Sequence, residues 1–238
     1  MKKLFTIIAL LAVSLGAAAQ TFYEWKDGKY TERSVSEIDS ITFSLPQVPP
    51  NAVDLGLPSG TLWADRNVGA YSPEGYGDYF AWGETEPKRD YSWSTYKWCN
   101  GSEYTLTKYC TESSNGSVDN KTTLEAADDA ATANNQWRMP TKAEFFDLRL
   151  YCTWTWITLD GVNGYKVTGP NGNHIFLPAA GYRDDGYLYD VGKGSYYWSS
   201  SLNVDYPEFA WELYLTKSNR GLTYGNRCSG RSVRAVLR

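Results

Sequence analysis

Histidine is almost missing from this 238-residue chain: His174 is the only one. A Ser-His-Asp triad or a His-based zinc site would have to be built on that single imidazole. It opens a β-rich run where many side chains would serve, so it reads as an ordinary strand residue. Cysteine is sparse, with Cys99, Cys110, Cys152 and Cys228 making four. Long apolar runs stop after the first residues. Lys2 and Lys3 followed by Leu4 to Leu15 and Ala17-Ala18-Ala19 form the charged, apolar and small-residue parts of a secretory leader, expected over residues 1–19. The apolar part is too short to span a bilayer, and no later stretch qualifies, so no transmembrane segment is expected. Basic charge is short as well. Without Lys2 and Lys3 the mature chain has 21 Lys and Arg against 27 Asp and Glu, a net charge of −6. Such a surface is a poor partner for nucleic acid. Export permits disulfides. Four cysteines allow three pairings, and sequence does not choose among them. Cys99–Cys110, which closes a short loop, is favoured. Cys152 with Cys228 then follows by elimination, and four free thiols is the competing reading.

Helix signals are also few, which makes one of them informative. Trp137 to Leu148 reads as a loop turning into a helix. Thr141 is a good N-cap, and Glu144 three residues on completes a capping box. Phe145, Leu148 and Cys152 fall on one face. One such helix, over residues 142–151, must bury that stripe against a sheet.

The remainder reads as strands, turns and irregular loops. Residues 20–45 form a small N-terminal β segment. Phe22-Tyr23-Glu24-Trp25 is a strand, Lys26-Asp27-Gly28-Lys29 a hairpin turn, and Ser40-Ile41-Thr42-Phe43 a further strand. Residues 46–51 are a Pro-rich, extended linker. The main domain, 52–238, opens with strands at Ala52–Leu55, Thr61–Ala64 and Tyr79–Trp82. Thr85 to Gln136 is polar and aromatic and reads as long surface loops, with a short helix between Leu124 and Ala133. Asn171-Gly172 between Gly164–Thr168 and His174–Leu177 signals a hairpin. Tyr196–Ser200, Ala210–Leu215 and Ser232–Val236 supply closing strands.

Several constellations could carry chemistry. Asp184-Asp185 and Asp128-Asp129 are paired carboxylates, the residue type glycoside hydrolysis requires. Neighbours on one chain seldom face each other across a substrate, so solvated loop charge is the better reading. The same acids with Asn134 and Asn135 could ligate calcium through oxygen. No Asp-x-Asp-x-Asp-Gly loop supports that, and no cofactor or metal is expected. The tyrosines are more telling. Tyr182, Tyr187, Tyr189, Tyr196, Tyr206, Tyr214 and Tyr224 interleave with Asp184, Asp185, Asn203, Asp205, Ser218, Asn219 and Asn226. Tyr gives large contact area at small entropic cost, and Asn and Ser give adaptable hydrogen bonds. Half of these rings are expected in the core and half on exposed loops. The expected binding face is the loops Tyr182–Tyr189, Ser201–Phe209 and Lys217–Arg227. Its ligand-binding residues are Tyr182, Asp184, Asp185, Tyr187, Tyr189, Asn203, Asp205, Tyr206, Asn219, Tyr224 and Asn226.

Six motifs occur in order: Ala52-Val53-Asp54-Leu55-Gly56-Leu57-Pro58-Ser59-Gly60, Tyr79-Phe80-Ala81-Trp82-Gly83-Glu84, Trp137-Arg138-Met139-Pro140-Thr141, Leu177-Pro178-Ala179-Ala180-Gly181, Tyr197-Trp198-Ser199-Ser200 and Ser232-Val233-Arg234. Together they resemble the Fibrobacter succinogenes major paralogous domain, a family of secreted Bacteroidetes proteins. Ile38 to Phe43 also looks like leader segments of that phylum. The resemblance implies an α+β, C-type-lectin-like fold shared distantly with formylglycine-generating enzymes, and Trp137 to Phe145 is similar to the corresponding run of that group. The family has no single established activity. An oxidase of the formylglycine-generating type needs two close thiolates near the C-terminus, and only Cys228 lies there. Arg138, Arg183 and Arg234 fall inside or beside the motifs and are assigned structural roles. The expectation is a secreted, non-catalytic binding domain in the periplasm, at the cell surface or outside the cell. Its partner would be an extracellular protein or glycan. The alternatives are a degenerate oxidase-type or glycan-active enzyme, and a structural, fimbria-associated subunit. Oligomeric state is not read.

Overall fold

The computed structural model describes residues 21–26, 29–34, 51–132 and 136–237. The secretory leader, the Pro-rich linker up to residue 50, Ser40–Phe43, Asn134 and Asn135 lie outside the described residues. The chain divides into two compact units, Met1–Gln47 and Val48–Arg238. The first contains β1 (Thr21–Lys26) and β2 (Lys29–Ser34), paired antiparallel with Lys26 opposite Lys29. That is where the sequence places its first hairpin.

The second unit runs β3 (Ala52–Asp54), β4 (Leu62–Ala64), helix α1 (Lys142–Tyr151), then β5 (Thr153–Leu159), β6 (Val162–Thr168) and β7 (His174–Pro178). It continues with β8 (Tyr182–Asp184), β9 (Tyr187–Tyr189), β10 (Gly194–Leu202), β11 (Phe209–Thr216), β12 (Arg220–Asn226) and β13 (Val236–Leu237). All strand pairs are antiparallel: β13-β4-β3, β5-β6-β7, β8-β9 and β10-β11-β12. The class is mixed α+β, mostly small antiparallel sheets with one α-helix among the described residues and long loops.

Helix α1 begins as its sequence requires. The Thr141 hydroxyl accepts from Glu144 N at 3.2 Å, and Glu144 Oε2 accepts from Thr141 N at 2.8 Å. Arg138 adds a bidentate pair to the same carboxylate, at 2.7 and 2.5 Å, and Thr61 Oγ1 donates to it at 3.1 Å. One buried carboxylate thus ties the loop before the helix, the helix start and the β4 segment together. Phe145 and Leu148 are fully buried among Leu213, Leu215, Tyr197 and Trp63. Each such side chain contributes about 1.5–3 kcal/mol by leaving water.

The motif segments interlock. Trp82 Nε1 donates to Ser199 O (2.8 Å), and Trp198 Nε1 donates back to Phe80 O (2.9 Å). Arg234 donates to Asn67 Oδ1, Ala64 O and Phe176 O from a fully buried position. These arrangements satisfy buried polar groups that would otherwise each cost about 1–3 kcal/mol.

Several expectations are corrected. Tyr79–Trp82 is not a strand: only Phe80 bridges, to Arg231. Of Ser232–Val236, only Val236 enters a strand, β13. Lys217–Arg227 is not a loop, because Arg220–Asn226 is the edge strand β12. The described part of the expected loop region, residues 85–132, is irregular, with short 3-10 turns at Trp93–Thr95 and Ala126–Asp128. It is not merely surface, however. Tyr91, Tyr96, Leu106 and Tyr109 are buried. Their organiser is Arg227, which donates to Tyr96 Oη, Lys108 O, Tyr109 O and Pro207 O at 2.8–2.9 Å. It also lies 5.0 Å from the Trp82 ring and 5.3 Å from that of Tyr96. A planar, five-donor cation can replace a sheet's worth of loop hydrogen bonds. Asp128 and Asp129 are likewise buried, not solvated. Asp128 accepts from Tyr109 Oη and Lys108, while Asp129 accepts from Ala131 N and Met139 N. The two carboxylates serve different partners.

The favoured disulfide Cys99–Cys110 is not formed, and neither is Cys152–Cys228: all four cysteines are free thiols. Cys99 Sγ donates to Trp93 O and Cys110 Sγ to Glu112 O, both at 3.1 Å. Each thiol donates to a nearby backbone carbonyl, six residues back for Cys99 and two residues on for Cys110, and a short sequence separation does not by itself bring two sulfurs together.

Candidate ligand-binding face

The β10-β11-β12 sheet sets the geometry. β11 pairs with β12 in unbroken register from Phe209↔Asn226 to Leu215↔Arg220. Side chains therefore alternate strictly between two faces. One face carries Phe209, Trp211, Leu213 and Leu215, with Leu222 and Tyr224 opposite; Leu213 and Leu215 lie in the cluster that buries the apolar stripe of α1. The other face carries Ala210, Glu212 and Tyr214, with Tyr196 and Trp198 from β10 opposite Tyr214 and Glu212.

On that second face the β8–β9 hairpin adds three more tyrosines. Tyr214 lies 5.8 Å from Tyr196, Tyr196 meets Tyr182 edge-on at 5.0 Å, and Tyr182 stacks on Tyr189 at 5.3 Å. Tyr187 completes the row at 6.3 Å from Tyr189. The outer end is open: Tyr187 is 68% exposed. Gly221, opposite Tyr214, leaves free space where a side chain would stand. The hairpin exists because Asp185 (φ +44) and Gly186 (φ +80) form the left-handed two-residue turn that Asp-Gly favours. Gly181 (φ +69) lets the chain pass against the backbone of Tyr189, where a Cβ would collide with the carbonyl oxygen.

A buried cation underlies the row. The Arg231 guanidinium carbon lies 4.5 Å from the Tyr182 ring centre and 5.1 Å from that of Tyr196. Arg231 Nε donates to Glu212 Oε2 at 2.8 Å, and Arg231 Nη1 has no hydrogen-bond partner among the described residues. Burial raises the Glu212 carboxyl, against the opposing pull of Arg231. Burial also pushes the Tyr196 phenol up to about 12 and raises that of Tyr182. The phenols stay neutral near pH 7 and can donate or accept. Glu212 is tied to Arg231 and Asp184 accepts from Ser229 Oγ at 2.8 Å. The row therefore offers stacking area and hydroxyls.

The expected binding residues fall into two groups. Tyr182, Asp184, Asp185, Tyr187 and Tyr189 belong to the row and its hairpin. Asp185 is a turn residue and Asp184 a hairpin anchor. Tyr206 and Tyr224 lie on the opposite face, stacked 6.5 Å apart beside Phe209 and Trp211. There Lys142 sits 3.1 Å from the Trp211 ring centre and already occupies it. Asn226 is exposed across from Phe209, Asp205 is exposed, and Asn219 turns the chain between β11 and β12. Asn203 is a correction: it is only 4% exposed, and its side chain accepts from Asp205 N. The single face expected from sequence is thus two faces of one sheet. Sequence reasoning named Tyr196 and Tyr214 among the tyrosines but did not select them as binding residues, and it missed Arg231. The strict alternation of β11 was the signal for Tyr214.

Among the described residues no three His, Cys, Asp or Glu side chains gather as a metal-holding group. No family model matches the chain, and no curated protein or solved structure matches it.

Proposed function

We propose that the Val48–Arg238 unit is a non-catalytic binding domain of an exported protein, and that the row Tyr187-Tyr189-Tyr182-Tyr196-Tyr214 is its recognition surface for an extracellular protein or glycan. The observation that carries this is the row itself. Five rings already lie one against the next, Tyr182 and Tyr196 also against Arg231, while Tyr187 and Tyr189 at the outer end stay exposed. Rings fixed before contact lose little side-chain freedom on binding, a cost of about 0.5–1.5 kcal/mol for each mobile side chain. The family resemblance and the C-type-lectin-like fold form part of the same proposal. The interlocked Trp82, Trp198 and Arg234 support it, since they give the motif residues a shared packing role.

The thiols argue against an oxidase. Burial pushes Cys228 up to about 12 and Cys152 up to about 11, the wrong direction for a reactive thiolate. Cys99 packs against the cluster that holds Cys228, but its sulfur is turned to Trp93 O.

The test is a binding screen of the mature chain, Gln20–Arg238, on arrayed glycans and surface proteins. The Tyr187→Ala/Tyr189→Ala variant is run beside it. Signals that vanish in the variant, with unchanged thermal unfolding, support the proposal. Signals that persist in full refute it.

A further inference from the structure

A second site, independent of the tyrosine row, lies where the β9–β10 and β11–β12 turns meet the β5–β6 hairpin. A groove of about 580 Å³ opens there, lined by Trp156, Thr158, Asn163, Gly192, Lys193 and Lys217. That volume falls within the usual range for small-ligand sites, about 300–1,000 Å³. We infer that this groove binds an anionic sugar, whose ring lies against Trp156 and whose carboxylate or sulfate is held between Lys193 and Lys217.

Three observations support the assignment. The first is charge. The chain carries an excess of acid, with 23 Lys and Arg against 27 Asp and Glu. The lining of this groove contains two lysines and no carboxylate. Both lysines are exposed, and neither is in an ion pair among the described residues. A cationic groove on an anionic molecule selects anionic ligands and draws them in.

The second is rigidity. Tyr165 Oη shares its one proton between Thr216 O at 2.9 Å and, more weakly, Lys217 O at 3.3 Å. Asn163 Nδ2 donates to Gly192 O at 3.1 Å, and Gly192 N donates to Ala179 O at 2.8 Å. The two turns that present the lysines are therefore pinned to β6 and to the residue after β7, so the backbone from which each lysine reaches is held in place. Gly192 (φ +74) has open space where a Cβ would stand, which keeps the groove clear beside Lys193.

The third is the aromatic wall. Trp156 is half-buried and meets Tyr165 edge-on at 5.0 Å and 82°. Its partner is the same tyrosine that anchors Lys217, so wall and cation share one support. A flat ring in one groove with two lysines suits a stacked ring carrying an acid group, and the Thr158 hydroxyl, which donates to Asn163 Oδ1 at 2.8 Å, keeps its oxygen as an acceptor at the rim. An extended acidic peptide has charge to offer but no ring face for Trp156.

The experiment is titration of the mature chain with four probes of matched length: a uronic-acid oligosaccharide, a sulfated oligosaccharide, their neutral counterpart and a poly-glutamate peptide. The expected result is binding of at least one acidic sugar, weakened by added salt, with neither the neutral sugar nor the peptide bound. Preference between uronate and sulfate identifies the acid group. Lys193→Gln/Lys217→Gln should weaken that binding about tenfold, the scale of two partly exposed charged contacts. Trp156→Ala should weaken it for the acidic sugar while leaving any peptide signal unchanged. Lys166→Gln, whose residue pairs with Thr155 on the other face of β5–β6, should have no effect. Equal binding of the peptide, binding of the neutral sugar alone, or no binding to any probe overturns the inference. The Tyr187→Ala/Tyr189→Ala variant should titrate normally here, which separates this site from the row.

Discussion

Glu144 shows how much one side chain can carry. Its carboxylate accepts from Arg138, Thr61 and Thr141 while nearly excluded from water. Burial alone would raise its pKa, but the Arg138 and Thr141 hydrogen bonds outweigh that and hold it down at about 2. An acid held low in the folded state stabilises above its ordinary value near 4.5, and loses that stabilisation as pH falls toward 2. The contribution at neutral pH is on the order of 3 kcal/mol. Urea unfolding across pH 2 to 7 should show this acid limb, and Glu144→Gln should flatten it while lowering stability at pH 7. Arg231 is the corresponding residue beneath the tyrosines. Arg231→Gln leaves Glu212 buried without its cation and should cost about 3–5 kcal/mol. Tyr182 and Tyr196 should also lose their fixed ring positions, visible as averaged ring signals in NMR. Glu144 was legible in the sequence because a capping box is local. Arg231 was not, because its partners Glu212, Tyr182 and Tyr196 meet it only through the fold of three strands.

At the level of elements, Asp-Gly turns and strand alternation decide what faces outward. Helix α1 falls on residues 142–151 as its cap predicts, and the β6–β7 hairpin lies around Asn171-Gly172. The two-residue turn at Asp160-Gly161, with φ of +47 and +84, was overlooked. With it went strand β5, although Thr-Trp-Thr-Trp alternates plainly before it. The error at β12 has a different origin. Arg220 to Asn226 is polar and glycine-bearing, as an edge strand with one partner can be, and such a run reads as loop. That error turned two faces of a sheet into one loop cluster. The β8–β9 hairpin invites a direct perturbation. Gly181→Ala places a side chain in left-handed backbone and against the Tyr189 carbonyl, so it should lower stability by about 1–3 kcal/mol. It should also displace Tyr187 and Tyr189, reducing array binding more than Tyr206→Ala on the opposite face.

The whole Val48–Arg238 unit replaces regular secondary structure with buried cations and indole donors across its long loop region. Arg227, Arg234, Trp82 and Trp198 each cross-link segments distant in sequence. Composition told of turns and strands, and the one capped helix among them of a mixed domain, but neither told of this aromatic, arginine-pinned interior, because loop carbonyls have no periodicity to read. Such an interior does not depend on disulfides. Thiol titration of the unfolded, unreduced protein should therefore count four free groups, and reductant should leave the thermal midpoint unchanged. The central claim is that the tyrosine row, and not the opposite face or any thiol, makes the protein a binder. The most direct measurement compares array binding of the mature chain, Tyr187→Ala/Tyr189→Ala and Tyr206→Ala/Tyr224→Ala. The account predicts ligands lost by the first variant and kept by the second. A flat array for the parent chain, or ligands lost only by the second variant, would contradict it.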